Sequence, residues 1–272
     1  MKFRLFQIDA FADRMFEGYP AAVLPLESWL PDATLQSIAS ENNLSETAFS
    51  VPSGSEFHLR WFTPVCEVDL CGHATLASAH VLFRHLGHPE NSLVFYTRSG
   101  NLVVEEKNRV LVMDFPAIHS NVFPSPEEFV KGLGKIPVEV LTGKTCIAVF
   151  QSAEDILSLS HPMTRSYVLW IFRGSRSRLR VERPRRVRFL QPLLRSEGRG
   201  FRGPGVRFRP LCLGSLLGRE AGKKRDEGPG IVETGGTVFC TVKDDRVLLS
   251  GNAVTFLEGE IDIPGRKPFS GT

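Results

Sequence analysis

Glu46 stands in the run Asn43-Leu44-Ser45-Glu46-Thr47-Ala48-Phe49, a single carboxylate where a helix gives way to an apolar strand. Further along comes Glu67-Val68-Asp69-Leu70-Cys71-Gly72-His73-Ala74-Thr75, in which a Gly-His pair opens the next helix. A carboxylate leaving a helix for a buried strand is partly desolvated, which raises its pKa toward working pH and suits it to general acid/base chemistry. Backbone N–H groups at a helix N-terminus favour a carboxylate ligand, and glycine permits close backbone approach. His73 adds a hydrogen-bond donor or a proton. Together these residues read as a proton-transfer site with its base and its anion cradle on adjacent elements. Taken singly, each has a plainer reading: Glu46 as a salt-bridged strand-start glutamate, His73 as a capping or core histidine.

The elements that must position them follow from the pattern. Phe3–Phe11 alternates as a strand, with Ala21–Leu26 as its partner. Pro31-Asp32 opens a helix to about Asn43, with Asp32 placed to cap it. Glu46–Val51 and Phe57–Phe62 are strands. Gly72–Leu86 is a second helix ended at Gly87, and its first half is small or apolar on every face, which marks a buried helix. Strands follow at Leu93–Arg98, Asn101–Glu106 and Arg109–Phe115. Residues 1–115 form an N-terminal domain of sheet around a central helix, 116–126 a proline-bearing linker, and 127–264 a C-terminal domain closing in a β-meander at Thr237–Val242, Arg246–Gly251 and Ala253–Leu257.

Five ordered motifs carry a resemblance. Asp9-Ala10-Phe11, Phe16-Glu17-Gly18-Tyr19-Pro20-Ala21-Ala22-Val23, the Glu46 run, Leu59-Arg60-Trp61-Phe62-Thr63-Pro64 and Leu70-Cys71-Gly72-His73-Ala74-Thr75-Leu76-Ala77-Ser78-Ala79 resemble the phenazine-biosynthesis (PhzF-like) isomerase family, densely over 1–115 and more loosely over 235–264. The resemblance implies an α+β, diaminopimelate-epimerase-like fold of two pseudo-symmetric domains, each a β-barrel around a helix. It implies cofactor-free isomerisation of a small carboxylic acid, a homodimer, and no metal. It matches Glu46 and His73 to the catalytic positions and Gly72, Gly18 and Cys71 to the substrate side. Tyr19 stands where the family has asparagine, so that side-chain amide contact is lost.

Cys71 has a second reading, because related racemases and epimerases use a cysteine before such a glycine as a base, and a helix N-terminus lowers a thiol's pKa. Such chemistry needs a second thiol in a comparable Cys-Gly setting, which Cys146 and Cys240 lack. A zinc site from Cys66, Cys71 and His73 lacks a second ligand cluster.

Composition separates one stretch from the rest. The chain of 272 residues is 42% hydrophobic and 23% charged, as expected of a soluble globular protein. No run approaches the ~20 apolar residues of a membrane helix. Five cysteines without framework spacing point to reduced thiols in the cytoplasm. Residues 165–225 carry 18 basic against three acidic residues, a balance of +15, which leaves 15 basic and 27 acidic elsewhere. Across 160–230 no period of 2 or 3.6 persists, and the Asp-Pro-Val-Thr-Gly-Ser segment of the resembled family, source of its cross-cleft groups, is missing. A base string encoding Gly214–Gly222, regrouped one base over, reads Gly-Pro-Tyr-Trp-Gly-Glu-Lys-Leu, which resembles the family sequence after that segment. This stretch is expected to be a frame-displaced or disordered segment. Its Arg-Gly and Arg-Phe pattern also suits nucleic acid, the weaker reading for a segment inside a domain. A chain so altered is expected to be an impaired isomerase, or a non-catalytic, protein-binding member of the family.

Overall fold

In the computed structural model of the chain, the described residues are 1–116, 121–125, 127, 130–131, 134–142, 147–151, 155, 169–172, 176–178, 185–188, 224–226, 237–243 and 245–263. They divide into two compact units, Met1–Leu111 with Asn252–Thr272, and Val112–Gly251. Most of the 160–230 stretch lies outside the described residues.

The first unit is built on β1 (Lys2–Ala10), β2 (Tyr19–Pro25), α1 (Asp32–Asn42), β3 (Thr47–Ser53), β4 (Glu56–Phe62), β5 (Glu67–Val68), α2 (Gly72–Arg84), β6 (Ser92–Thr97) and β7 (Gly100–Lys107). The helix α1 is the crossover that lets β2 and β3 run parallel, with Ala22 opposite Thr47. Its buried residues Leu35, Ile38 and Ala39 sit at helical spacing on one face. They pack with Ala22, Leu24, Leu26, Phe49, Val51 and Phe62. The opposite sheet face receives α2, which lies against β1, β2 and β3. With a helix on each face, β2 reads as the continuous run Ala21-Ala22-Val23-Leu24 rather than as an alternation.

In α2, His73 through Ala79, Val81 and Leu82 are all buried. The polar side chains among them turn inward on the helix itself: Thr75 Oγ1 donates to Cys71 O at 2.5 Å and Ser78 Oγ to Ala74 O at 2.7 Å. Such back-bonding satisfies a hydroxyl that nothing else in an apolar surround would satisfy.

The second unit takes up most of β8 (Val110–Pro116). It continues with β9 (Asn121–Phe123), β10 (Glu139–Thr142), β11 (Ile147–Phe150), β12 (Leu169–Phe172), β13 (Arg176–Arg178), β14 (Arg185–Arg188), β15 (Lys224–Asp226), β16 (Thr237–Lys243) and β17 (Arg246–Gly251). Strands β9 to β12 make one sheet in the order β12-β11-β10-β9, while β14, β16 and β17 line up beside β8.

Four sequence expectations change. Residues 116–126 are not simply a linker, because Asn121–Phe123 pairs with β10. Asp32 does not cap α1. Its carboxylate is held by Arg60 Nη1 at 2.9 Å, and the helix begins with no side-chain cap. The closing meander is broken: β16 and β17 pair, but β18 (Ala253–Asp262) leaves them and runs antiparallel along β1, from Lys2 opposite Asp262 to Ala10 opposite Ala253. The residues from Asn252 onward therefore belong to the first unit, not to a C-terminal domain ending at 264. The cause is apolar: Ile261 and Ile263 pack on the α1 cluster with Phe3 and Leu5. The ion pairs along this edge, such as Lys2 with Glu260, are exposed and contribute little.

Gly18 has a conformational role in the β1–β2 connection. Its φ is +74°, and a Cβ there would lie 2.2 Å from the Ala10 carbonyl oxygen. Gly18→Ala is therefore expected to cost about 2–4 kcal/mol from left-handed strain plus a backbone clash. Urea unfolding followed by tryptophan fluorescence measures this, and a loss below about 0.5 kcal/mol would show that the turn adapts.

Candidate active site

Three chain segments meet where the sequence placed its chemistry. Strand β2 brings Tyr19 at its first position. The residue before β3 is Glu46, fixed by the Ala22 N–H donating to its carbonyl at 3.2 Å. Helix α2 brings Cys71 as its N-cap, then Gly72 and His73. The first turn of α2 is tightened by the Thr75 N–H donating to Cys71 O at 3.1 Å.

The side chains close on one another. Glu46 Oε2 lies 3.2 Å from His73 Nε2, with the two residues only 4% and 7% exposed. Cys71 Sγ lies 3.5 Å from His73 Nδ1. The imidazole thus sits between a carboxylate and a thiol, one nitrogen facing each. The Tyr19 ring lies 5.8 Å from the His73 ring, tilted by 42°. Burial pushes the Tyr19 phenol well above its ordinary pKa, so it stays protonated as a donor.

The electrostatics decide where the protons reside. For His73, burial alone favours the neutral ring, but the neighbouring Cys71 and Glu46 more than offset that and raise its pKa well above 6.5. For Cys71, burial raises the thiol pKa first and the Glu46 charge raises it further, with His73 and the Ala74 amide pulling the other way. A thiolate would need to form against both leading effects. Burial and the Glu46 charge thus disfavour a Cys71 thiolate, which weighs against Cys71 as a base, while the groups on either side of the imidazole hold His73 toward its protonated form.

All five sequence-derived site residues lie in the first unit. Glu46, Cys71 and His73 converge through their side chains, and Gly72 belongs to the same helix start. Gly18 sits one residue before Tyr19, with a backbone reason of its own for being glycine. Sequence reading treated Tyr19 as a lost amide contact, whereas the structure places its ring against His73. Only its position next to Gly18 hinted at this.

Glu46, Cys71 and His73 each offer a metal-ligating atom, and these atoms lie within 4.8 Å of one another. Cys66 is not among them. It is exposed, and its carbonyl accepts from Thr63 Oγ1 at 2.9 Å. A cavity of about 300 Å³ lies elsewhere in the same unit, lined by Asp13, His80, Arg84, Arg109 and Asn252 among others. It includes none of the site residues. His80, on that cavity, is pushed down to about 4 by burial, then by His85 and Arg84, and so stays neutral. Among the described residues no helix is long and apolar enough to cross a membrane.

Comparison with known proteins gives the family and the fold. The sequence profile of the phenazine biosynthesis-like protein family matches residues 8–163. An uncharacterized isomerase of Pseudomonas aeruginosa is 38% identical over 271 residues, covering 97% of this chain and all of the relative. Phenazine biosynthesis-like domain-containing protein 1 of mouse is 34% identical over 295 residues, covering 96% of this chain and 99% of the relative. The crystal structure of a PhzF-family phenazine biosynthesis protein from Enterococcus faecalis superposes with a TM-score of 0.74 at 32% identity, covering 97% of this chain and all of that one. A predicted epimerase of Pseudomonas aeruginosa shares the fold at a TM-score of 0.64 and 18% identity. The fold is α+β and diaminopimelate-epimerase-like, and the chain belongs to the PhzF-like isomerase family.

Proposed function

We propose that this chain carries out cofactor-free isomerisation of a small carboxylic acid by moving a proton between carbons, with Glu46 as the acid/base. The observation that carries the reading is the buried pair of Glu46 and His73, 3.2 Å apart at the N-terminus of α2. The carboxylate of Glu46 removes a proton from carbon and returns it at another carbon. His73, protonated beside it, offsets the negative charge of substrate and base. Amide groups of the first turn, starting at Gly72, supply dipoles for the substrate carboxylate. The Tyr19 ring, 5.8 Å from that of His73, adds a phenol that stays neutral.

The chain lacks the Asp-Pro-Val-Thr-Gly-Ser segment of the resembled family, so the further substrate-binding groups which that segment carries there are absent from this sequence. Missing preorganised donors cost about 10²–10³ in rate each, so turnover by this chain is slow.

Solvent deuterium incorporation into small carboxylic acids tests the base directly. Wild-type chain should incorporate label at carbon, and Glu46→Gln should slow it by about 10²–10⁴-fold. Equal incorporation by both would remove Glu46 from the mechanism.

The pair also makes stability depend on pH. His73 binds its proton more tightly in the folded chain than at its ordinary 6.5. The resulting stabilisation is fully present below that value and is lost as pH rises through the raised folded value. Thermal unfolding from about pH 6 to about pH 9 should show a falling midpoint in wild type and a flatter one in His73→Gln. A slope unchanged by the substitution would show that His73 is not the titrating group.

A further inference from the structure

We propose that Glu46, Cys71 and His73 form a binding site for a thiophilic divalent cation of the zinc class, held by one carboxylate oxygen, one sulfur and one imidazole nitrogen. The three ligand atoms lie within 4.8 Å of one another and all three residues are buried. Tetrahedral zinc, with bonds of about 2.0–2.3 Å, sets neighbouring ligand atoms about 3.3–3.5 Å apart. The imidazole faces Cys71 Sγ with Nδ1 at 3.5 Å and Glu46 Oε2 with Nε2 at 3.2 Å, so one ion takes a single ring nitrogen after the His73 ring turns, and the three donors draw together from their present separation of up to 4.8 Å.

Charge supports the same assignment. Binding displaces the thiol proton of Cys71 and the proton held by His73, both released to solvent. One thiolate and one carboxylate then neutralise a divalent ion with a neutral imidazole completing the set. A neutral assembly suits a site this buried far better than an isolated charge would. Three protein ligands leave a fourth tetrahedral position for water, the form of an open zinc site.

The donors also come from anchored backbone. Cys71 is tied to Thr75 by two hydrogen bonds, at 2.5 and 3.1 Å, and Glu46 is tied to β2 through Ala22. Sequence reasoning considered zinc on Cys66, Cys71 and His73 and set it aside for want of a second ligand cluster. The structure replaces exposed Cys66 with buried Glu46, from a segment 25 residues before Cys71.

A cation held here engages Glu46 and so blocks the base. That consequence, an inhibitory metal, rests on the proposed isomerase reading. The binding itself does not.

Cobalt(II) is the probe, titrated into the reduced, chelator-treated full chain. The expected result is about one equivalent bound, with the near-ultraviolet thiolate-to-cobalt charge-transfer band and the intense visible bands of a tetrahedral site, both erased by zinc. Cys66→Ala should retain the band. Cys71→Ala should lose it, and Cys71→Ser, nearly isosteric, repeats the test if the alanine variant fails to show a cooperative thermal transition. Glu46→Gln and His73→Gln should each weaken cobalt binding by more than about 100-fold, since losing even an outer partner costs about 10–100-fold. No band, a band that survives both Cys71 variants, or unchanged affinity in Glu46→Gln and His73→Gln would overturn the proposal. The titration reads binding without turnover, and metal-free deuterium incorporation reads turnover without metal. Failure of one is therefore distinguishable from failure of the other.

Discussion

Glu46 and His73 stand 3.2 Å apart, carboxyl against imidazole, in a place water barely reaches. Removing either partner would strand the other, at a cost of about 3–5 kcal/mol, so neither can be lost without consequence. The surrounding elements make the pair tolerable. Helix α2 directs its first-turn amides at the site, where dipoles favour negative charge. The parallel pairing of β2 and β3 fixes Glu46 beside the start of β2, and that pairing exists because α1 supplies a crossover of adequate length. Position of Glu46 therefore follows from the packing of α1, a helix that carries none of the site residues.

The neutral thiol of Cys71 completes the balance. Were it ionised, two anions would flank one imidazolium in a desolvated cluster. Burial and the Glu46 charge keep the proton on sulfur instead. A metal ion reverses this, because two positive charges replace two protons, and the second anion becomes an asset. The same three side chains thus suit proton transfer when protonated and cation binding when not, and the two states exclude each other at Glu46.

Much of this was legible in the sequence, for local reasons. Gly72-His73 at a helix start and Glu46 at a strand start are signals spread over a few residues, and the strands and helices of the first unit follow their own periodicity. What escaped was set by distant partners. Asp32 at the first position of a helix looks like a cap, but Arg60 from β4 claims its carboxylate. Ala253–Asp262 looks like the third strand of a meander, but Ile261 and Ile263 find the α1 cluster and draw it to β1. No window of local sequence contains Lys2 and Asp262 together. Tyr19 appeared as the loss of an amide because sequence shows what is replaced, not which ring the replacement meets.

The return of β18 has a further consequence for the half-site. Strand β1 is bordered on one side by β2 and on the other by β18, and the latter is clamped at both ends, by Ala12 N–H to Asn252 O at 3.1 Å and by Ile263 N–H to Met1 O at 2.9 Å. With β1 paired along both edges, the strand beside β2 is an interior one and β18 takes the edge position in its place. Helix α2 itself contacts β1, β2, β3 and β18, all within the first unit. Every described contact that holds Glu46, Cys71 and His73 in place is thus local to that unit. Among the described residues, the packing that brings carboxylate, imidazole and thiol together is that of the first unit, so the unusual composition of 165–225 lies outside the elements that position them.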